Sequence, residues 1–289
     1  MVDRFRIGNT TIEGIVEGTA PMPMKEFVPS FTLDRVREHM PILAPRFMDE
    51  AGENGNAAFR TWVVRTGRHT VLIDTCIGNH KQRPNFPPCH ELVTDYLPQL
   101  ASIGLAPEQV DYVFCTHFHL DHVGWNTRLA NGTWVPTFPK AKYVFAKKEL
   151  DHWQHMPKAE VGINENVFED SIQPILDAKQ AQIIDDGFQL DDQITIVPTP
   201  GHTPGHYSVL VRDGDERGMF SGDTMHHPTQ IFEPGWNSGF CLDTAQAIAT
   251  RKRLLEQVVE RNMLLLPVHF ASPGAGRVID RAGQFIFRA

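Results

Sequence analysis

We predict an α/β fold in which residues 1–289 form one domain of two layers, and three observations support it. In both halves of the chain, short apolar runs typical of strands are followed by helical patterns. No linker or low-complexity segment separates the two halves. The composition, with 41% hydrophobic and 21% charged residues, is that of a soluble globular protein with an ordinary core. Strands followed by helices in this way are typical of a layered α/β domain.

Strand and helix patterns follow one another along the first half of the chain. The predicted elements are two strands within 5–18, a hairpin of strands over 58–65 and 70–74, a helix over 89–104, strands over 111–115 and 143–146, and helices over 147–156 and 164–179. Pro98 and Pro174 fall inside two of these helical patterns, so we expect both helices to bend there.

Residues 19–53 differ from the rest of the first half, because prolines punctuate a segment rich in Met and Phe. A short helix fits 33–40. So many apolar groups in an irregular segment predict a flap that covers something apolar, either the protein core or a substrate. The segment is also a candidate homodimer interface.

The second half repeats this pattern. Strands are predicted over 194–197, 207–212, 218–221 and 263–268. Asp243 and Gln246 resemble a capping box, which predicts the start of a long helix that ends near Arg261.

Three imidazoles and one carboxylate occur within six residues, directly after the predicted strand at 111–115. Alternation at the strand end points His117 and His119 to one side, and a turn can return Asp121 and His122 to the same point. Neutral imidazole nitrogens and carboxylate oxygens are ligands that suit zinc and similar metals. Groups packed this tightly would repel one another or stay unsatisfied without a cation, so the cluster predicts a metal site.

Further ligand-type residues follow other predicted strands. His202, Asp223 and His269 each come after a strand of the second half, and ligands collect at strand ends in open α/β sheets. Seven ligands are too many for one tetrahedral zinc and suit two metals about 3.5–4 Å apart. Asp74 ends another apolar strand, where it can cap the next turn or support a metal-bound imidazole. We expect His206 to support the site rather than to bind metal.

This order of residues closely resembles the metallo-β-lactamase superfamily, whose H-x-H-x-D-H motif, later His, Asp and terminal His recur here from about Thr61 to Phe270. The resemblance implies a four-layered αββα sandwich and two zinc ions per chain, with Mn, Fe or Co as other possible metals. It implies that the first metal is held by His117, His119 and His202, the second by Asp121, His122 and His269, and that Asp223 is the bridging carboxylate.

Differences from the branches of this superfamily narrow the expected activity. Asp223 stands where the most familiar lactamases have Cys, and His119 where the flavodiiron branch has Glu. The added nucleic-acid domain of the nuclease branch has no counterpart, and the C-terminal part differs from glyoxalase II-like thioesterases. The remaining resemblance is to the acyl-homoserine lactonase and methyl parathion hydrolase group. His226 lies where the lactonases commonly have Tyr, which resembles the organophosphate-hydrolase branch.

The predicted function is hydrolysis of a hydrophobic or aromatic carboxylic ester or lactone by a hydroxide that bridges two zinc ions. We expect Asp121 to hold the hydroxide and pass a proton to the leaving group. His226 is either a donor to the developing oxyanion or a loop residue near the surface. The side chains predicted to line an apolar cleft are Trp125, Phe27, Phe47, Phe232 and Trp236.

Three alternative functions stay open. The nearest is an organophosphate triesterase of the methyl parathion hydrolase type, because the same site serves both reactions. A mononuclear iron dioxygenase and a metal-bearing binding protein without turnover belong to other classes.

Charge, hydropathy and cysteine usage indicate the partners and the compartment. The 27 basic residues are scattered and are outnumbered by 35 acidic ones, for a formal net charge of −8, which argues against a nucleic-acid partner. No apolar run approaches the roughly 20 residues that span a bilayer, so no membrane association is expected. The chain starts without the apolar core of a secretory signal, and four cysteines show no paired spacing. These features predict reduced thiols and a cytoplasmic location.

Overall fold

A computed structural model describes residues 2–289, and their contacts divide the chain into two compact units. Unit 1 comprises the described residues up to Gly18 together with 59–186. Unit 2 comprises residues 19–58 and 187–289. Within residues 2–289, we find no helix with both the length and the apolar character needed to cross a membrane.

Strands account for much of both units. Over residues 2–289 they are, from β1 to β15, Asp3–Ile7, Thr10–Pro23, Asn54–Arg65, Thr70–Ile73, Tyr112–Phe114, Thr127–Ala130, Thr133–Pro136, Lys142–Ala146, Ala181–Ile184, Ile194–Pro198, Tyr207–Asp213, Glu216–Gly222, Leu264–Pro267, Gly276–Arg281 and Gln284–Arg288.

The helices are mostly short. The α-helices α1 to α8 of the described residues are Met24–Phe27, Leu33–Val36, Met40–Leu43, Tyr96–Ser102, Lys147–Gln154, Gln173–Asp177, Thr229–Phe232 and Thr244–Glu260. Single 3₁₀ turns cover Arg37–His39, Pro87–Cys89, Pro107–Gln109, Gly124–Asn126 and Gly162–Asn164, and a π-helical turn covers Phe168–Ile172. The Asp243 carboxylate accepts a hydrogen bond from the Gln246 amide at 2.9 Å, which caps α8 as predicted.

A seven-stranded sheet in the order β1-β2-β3-β4-β5-β8-β9 belongs to unit 1, apart from the ends of β2 and β3 that the chain carries into unit 2. Strands β3 and β4 form the predicted hairpin, with Trp62 opposite Ile73. Strands β4, β5, β8 and β9 are parallel neighbours, so their carboxyl ends lie at the same edge. The core of this unit contains Val63, Leu72 and Val113.

Unit 2 contains a six-stranded sheet in the order β10-β11-β12-β13-β14-β15. Strands β10, β12 and β13 run in the same direction, because β10 and β12 are both antiparallel to β11 and β12 is parallel to β13. The long helix α8 packs Leu254, Leu255 and Val258 into the core of this unit.

The Met- and Phe-rich flap lies within unit 2 and contributes to its core. Met22, Met24, Phe31, Phe47 and Met48 are buried there. Of the two predicted roles of the flap, covering the core is the one that the packing of these five residues supports.

Several boundaries differ from prediction. The helix expected over 164–179 is broken into a 3₁₀ turn, a π-helical turn and α6, since Pro174 cannot supply a backbone donor inside the segment. The helix expected over 89–104 is regular only at Tyr96–Ser102. The hairpins β6–β7 and β14–β15 and the strand β9 were not predicted, because their side chains are largely half-buried or exposed and give little hydrophobic pattern.

Candidate metal centre

Two parallel strands of unit 1 carry the first group of ligand-type residues. Asp74 comes directly after β4, and the segment with His117 comes shortly after β5. Because β4 and β5 are parallel neighbours, both segments leave the sheet at the same edge. The local order predicted from the apolar strands is therefore observed in this unit.

The N-terminal ligand cluster consists of His117, His119, Asp121 and His122. The His117 ring centroid lies 4.5 Å from that of His119 and 4.0 Å from that of His122. Asp121 Oδ1 lies 3.8 Å from His122 Nε2, and the Asp121 side chain keeps 18% of its surface exposed while the His122 side chain has none. Unit 1 therefore contains three buried imidazoles beside one carboxylate that is more accessible to solvent.

Asp74 organises this cluster from behind. Its Oδ2 accepts a hydrogen bond from His122 Nδ1 at 2.9 Å, and its two oxygens accept bonds from the Thr116 amide at 2.8 Å and the Thr116 hydroxyl at 2.9 Å. A proton held on Nδ1 leaves Nε2 as the His122 nitrogen that can bind a metal. Asp74 has a backbone φ of 57°, a conformation that Asp and Asn tolerate better than most residues.

We expect Asp74→Asn to weaken metal binding by roughly 10–100-fold. Asn accepts the same backbone conformation, but its amide group cannot accept all the bonds that the carboxylate accepts, so the His122 tautomer is no longer fixed. Competition with a chromophoric chelator measures the affinity, and Asp95→Asn, at an exposed position, is the matched control. An unchanged affinity in Asp74→Asn would contradict this role.

Three strands of unit 2 that run in one direction carry the second group. Asp223 follows β12, His269 follows β13, and His202 follows β10 after a Pro/Gly turn. Gly201, in that turn, has φ 130° and lies so close to α8 that a Cβ atom would come within 2.3 Å of the Ala247 nitrogen. Glycine is therefore required for the turn that carries His202.

The C-terminal ligand cluster consists of His202, Asp223 and His269, and the Asp223 carboxylate is its centre. Asp223 Oδ2 lies 3.3 Å from His202 Nε2 and 3.2 Å from His226 Nε2, and Asp223 Oδ1 lies 3.1 Å from His269 Nε2. All four side chains are buried. One carboxylate thus has an imidazole nitrogen close to each of its oxygens.

Outer contacts fix these side chains. The Nδ1 atom of His269 donates to the Ala58 carbonyl at 2.9 Å, and that of His202 lies 3.6 Å from the Cys241 sulfur. His206 accepts a bond from the Asp223 amide at 2.9 Å, which supports its predicted role beside the ligands. Such contacts orient imidazoles and carboxylates for metal binding.

The donor chemistry of both clusters fits a divalent metal. Each combines imidazole nitrogens with one carboxylate, the set that zinc, iron and manganese sites share. In each cluster an imidazole has its Nδ1 atom hydrogen-bonded to an oxygen, so Nε2 is the nitrogen available for a metal. Buried groups of this kind are expensive to keep without a cation or a hydrogen-bond partner.

His226 is buried beside Asp223, not near the surface, with a side-chain exposure of 2%. Burial lowers the pKa of His226 below its ordinary value, although the Asp223 carboxylate acts in the opposite direction. Burial therefore favours the neutral form of the imidazole.

The aromatic residues predicted to line a cleft have mostly other positions. Trp125 is 4% exposed and stacks on Tyr96 at 5.0 Å in the core of unit 1, where its Nε1 donates to Glu17 at 2.6 Å. Phe47, between Phe270 and Phe287, is in the core of unit 2.

Two more of these residues are buried in unit 2. Phe232 stacks on His39 at 3.9 Å, and Trp236 packs edge-on against Phe31 at 5.4 Å. Burial of four side chains corrects the prediction that they line an apolar cleft: Trp125, Phe47, Phe232 and Trp236.

Phe27 is the predicted aromatic residue that the structure leaves half-exposed beside the candidate site. Its ring centroid lies 5.1 Å from that of His226 and 5.5 Å from that of Phe240. Phe240 and Cys241 were not predicted as site residues. They follow a loop without a strand pattern, so no periodicity signals them.

A cavity of about 210 Å³ lies in unit 1 next to the N-terminal ligand cluster. Its walls include Phe118, Trp153, Phe168 and Ile172, and the Trp153 ring packs edge-on against that of His119 at 5.7 Å. Polar and charged side chains, including Lys158, Glu165 and Glu169, also line the cavity, so its walls are mixed in character.

Comparison with known proteins agrees with this arrangement. A model of the metallo-beta-lactamase superfamily matches residues 60–269. An N-acyl homoserine lactonase from Bacillus sp is 26% identical over 171 residues, which cover 59% of this chain and 60% of the lactonase. A beta-lactamase-like protein 2 homolog from Caenorhabditis elegans is 25% identical over 178 residues, which cover 60% of this chain and 46% of that protein.

Two solved structures are similar over nearly the whole chain. AbOPH, described as a hydrolase in the beta-lactamase superfamily, has a TM-score of 0.81 and 23% identity and covers 99% of this chain and 96% of its own. AidC, a dizinc quorum-quenching lactonase solved with N-hexanoyl-L-homoserine, has a TM-score of 0.79 and 21% identity with the same coverage. These similarities confirm the αββα sandwich. With its family model matched over residues 60–269, the chain belongs to the metallo-β-lactamase superfamily.

Proposed function

We propose that this protein is a metal-dependent hydrolase that cleaves a carboxylic ester or lactone. The observation that carries the proposal is the Asp223 carboxylate, which has imidazole nitrogens of three histidines 3.1–3.3 Å from its oxygens in a protein of this superfamily. The Bacillus relative and AidC are both lactonases, which favours a lactone or a related ester.

The cofactor in this proposal is a pair of zinc ions held by the two ligand clusters. The ligand-type side chains within each unit support it: His117, His119, Asp121 and His122 in unit 1, and His202, Asp223 and His269 in unit 2. AidC, a dizinc protein of the same fold, supports zinc over manganese, iron or cobalt. When bound, two zinc ions would supply a water molecule of lowered pKa and would polarise the substrate carbonyl.

The side chains of the chain itself supply proton transfer and positioning. Asp121, the more accessible carboxylate, takes the proton of the attacking water and returns it to the leaving alkoxide. Asp223 holds the surrounding imidazoles, and Asp74 holds His122 in one tautomer. We assign His226, buried beside Asp223, as a hydrogen-bond donor to the oxyanion that develops on the substrate.

We assign an apolar or aromatic substituent to the substrate. Phe27 presents a half-exposed ring beside His226, and the half-exposed ring of Phe240 lies next to that of Phe27. Small polar esters would leave these surfaces unfilled. The proposed substrate is a small molecule that carries such a substituent. The proposal also includes a homodimer and a cytoplasmic location.

Replacement of Phe27 or Phe240 by alanine should lower turnover of apolar substrates more than that of small ones. We expect Phe27→Ala and Phe240→Ala to lower kcat/KM roughly tenfold for a phenyl ester, because most of one ring contact is lost, and to change it little for a methyl ester. Phe285→Ala, at a half-buried ring elsewhere in unit 2, is the control. Equal losses on both esters would contradict a substrate-binding role.

An organophosphate triesterase is the second candidate, and His226 is the observation that favours it. The residue is buried with its Nε2 3.2 Å from Asp223, and it occupies the position in which the lactonases commonly have Tyr. The same ligand set can serve attack on a phosphoryl centre.

A substrate panel with metal analysis tests the proposal. The metal content of the protein as purified is measured by elemental analysis, and protein reconstituted with zinc is assayed on a lactone, an aryl ester and a phosphotriester. Fastest turnover of the lactone or ester with about two zinc ions per chain would support the proposal. Preference for the phosphotriester would favour the second candidate, and one iron per chain without hydrolysis would contradict both.

A further inference from the structure

A buried arginine without an acidic partner lies behind the C-terminal ligand cluster. Arg251, on α8, has no exposed surface, and burial lowers its pKa to about 10. Within residues 2–289, no carboxylate forms an ion pair with it. Its guanidinium donates instead to four oxygens: the carbonyls of Thr224 at 2.6 Å, Pro234 at 2.9 Å and Trp236 at 2.6 Å, and the Asn237 side chain at 3.0 Å.

These acceptors belong to the loop that follows Asp223. Burial of a cation is costly, so an arginine bonded only to neutral oxygens requires a compensating role. The Arg251 guanidinium fixes both ends of this loop. Thr224 comes directly after Asp223, and Trp236 lies after α7, where the loop returns to α8. The four-residue helix α7 is too short to hold this geometry alone, whereas α8 is a rigid element of 17 residues.

Gln230 connects this arginine to His226. Its Oε1 accepts bonds from the amides of His226 at 2.6 Å and His227 at 3.3 Å, and its Nε2 donates to the Trp236 carbonyl at 3.1 Å. That carbonyl is also bonded to Arg251. Gln230 is fully buried, so solvent does not replace these bonds.

We propose that Gln230 and Arg251 are positioning residues that hold His226 against Asp223. The proposal rests on the proposed function, because that function assigns His226 to the reaction. The route is continuous: Arg251 fixes the Trp236 carbonyl, this carbonyl orients the Gln230 amide, and Gln230 fixes the His226 backbone. His226 Nε2 then lies 3.2 Å from Asp223 Oδ2. A misplacement of about 1 Å in such a group costs on the order of 10²-fold in rate.

The central variant is Gln230→Met, which keeps the length of the side chain and removes its acceptor and donor. We expect kcat for the substrate turned over fastest to fall roughly 10–100-fold, with KM and zinc content close to wild type. Amide exchange of His226 and His227 should accelerate by at least about tenfold, since both protons lose their buried acceptor. Gln246→Met, at an exposed position on α8, is the matched control and should behave as wild type in both measurements.

A double-mutant cycle separates positioning from general destabilisation. If Gln230 acts through His226, the Gln230→Met effect on kcat disappears in a His226→Ala background. An equal loss of kcat in both backgrounds would overturn the proposal. Arg251→Lys keeps the charge without the planar fork, and we expect the same two signatures in weaker form; Arg253→Lys, exposed on the same helix, is its control.

The two proposals fail in distinguishable ways. If wild-type protein hydrolyses nothing on the panel, the proposed function fails. A crystal structure of Gln230→Met then tests by itself whether Gln230 and Arg251 position His226. A displaced His226 ring with accelerated amide exchange would support the positioning role. An unmoved His226 ring with wild-type amide exchange in Gln230→Met would overturn it. If Gln230→Met does not fold, the same result in Arg251→Lys would overturn it.

Discussion

Replacement of Asp223 by alanine is expected to cause a large loss of both metal binding and hydrolysis. The Asp223 carboxylate lies 3.1–3.3 Å from nitrogens of His202, His226 and His269, and the proposal makes it one of the residues that would hold the metals. Loss of an outer partner typically costs 10–100-fold, so loss of this ligand should lower kcat/KM by on the order of 10³-fold or more. Elemental analysis should find less than half the zinc of wild type.

Two further variants make this result specific. Asp223→Asn keeps the shape of the side chain and removes its charge, so it should also lose most of its zinc. Asp215→Ala removes an exposed carboxylate from the same unit and should leave zinc content and turnover unchanged. Wild-type zinc content and turnover in Asp223→Ala would end the proposal of a metal-dependent hydrolase.

Loss of Asp170 is expected to be the most destabilising substitution away from the ligand clusters. Its carboxylate accepts bonds from two Arg83 nitrogens at 2.6 and 2.8 Å and lies 3.4 Å from the Lys81 ammonium. All three side chains are buried in unit 1. Burial lowers the pKa of Lys81 to about 7, while the Asp170 carboxylate acts to raise it.

Asp170→Ala should therefore lower the free energy of unfolding by about 3–5 kcal/mol, because it leaves two buried cations without an anion. Urea denaturation monitored by tryptophan fluorescence measures the change. Asp177→Ala, an exposed carboxylate bonded to Gln173, should cost less than about 0.5 kcal/mol. Lys81→Met should reduce the cost of Asp170→Ala when the two are combined, whereas strictly additive losses would contradict the charge-based explanation.

The ligand-type residues were predictable because apolar strand bodies make the polar residues at their ends conspicuous. His117, Asp223 and His269 follow strands whose side chains are almost all buried, so each stands out against its surroundings. Asp74 is conspicuous in the same way, and its support of His122 follows from the parallel pairing of β4 and β5. Local sequence carries this information, since it needs only strand direction and residue type.

The sequence did not show in this way which aromatic side chains lie beside the candidate site. Trp125 lies next to the histidine motif in sequence, yet its ring stacks on Tyr96 and its Nε1 donates to Glu17. Phe240, which does lie beside Phe27, belongs to a loop with no periodic pattern. An aromatic side chain suits a core and a binding cleft equally well, so its type alone does not separate the two.

By itself, the sequence determined the fold class and the ligand-type residues at the strand ends, and it left two roles open for Asp74. Tertiary structure alone decided which aromatic rings are buried, that His226 lies against Asp223, and that Gln230 and Arg251 hold the loop between them. The physical reason is the range of the interactions. Strand ends follow from patterns within a few residues, whereas ring burial and hydrogen-bond partners depend on segments that are distant along the chain.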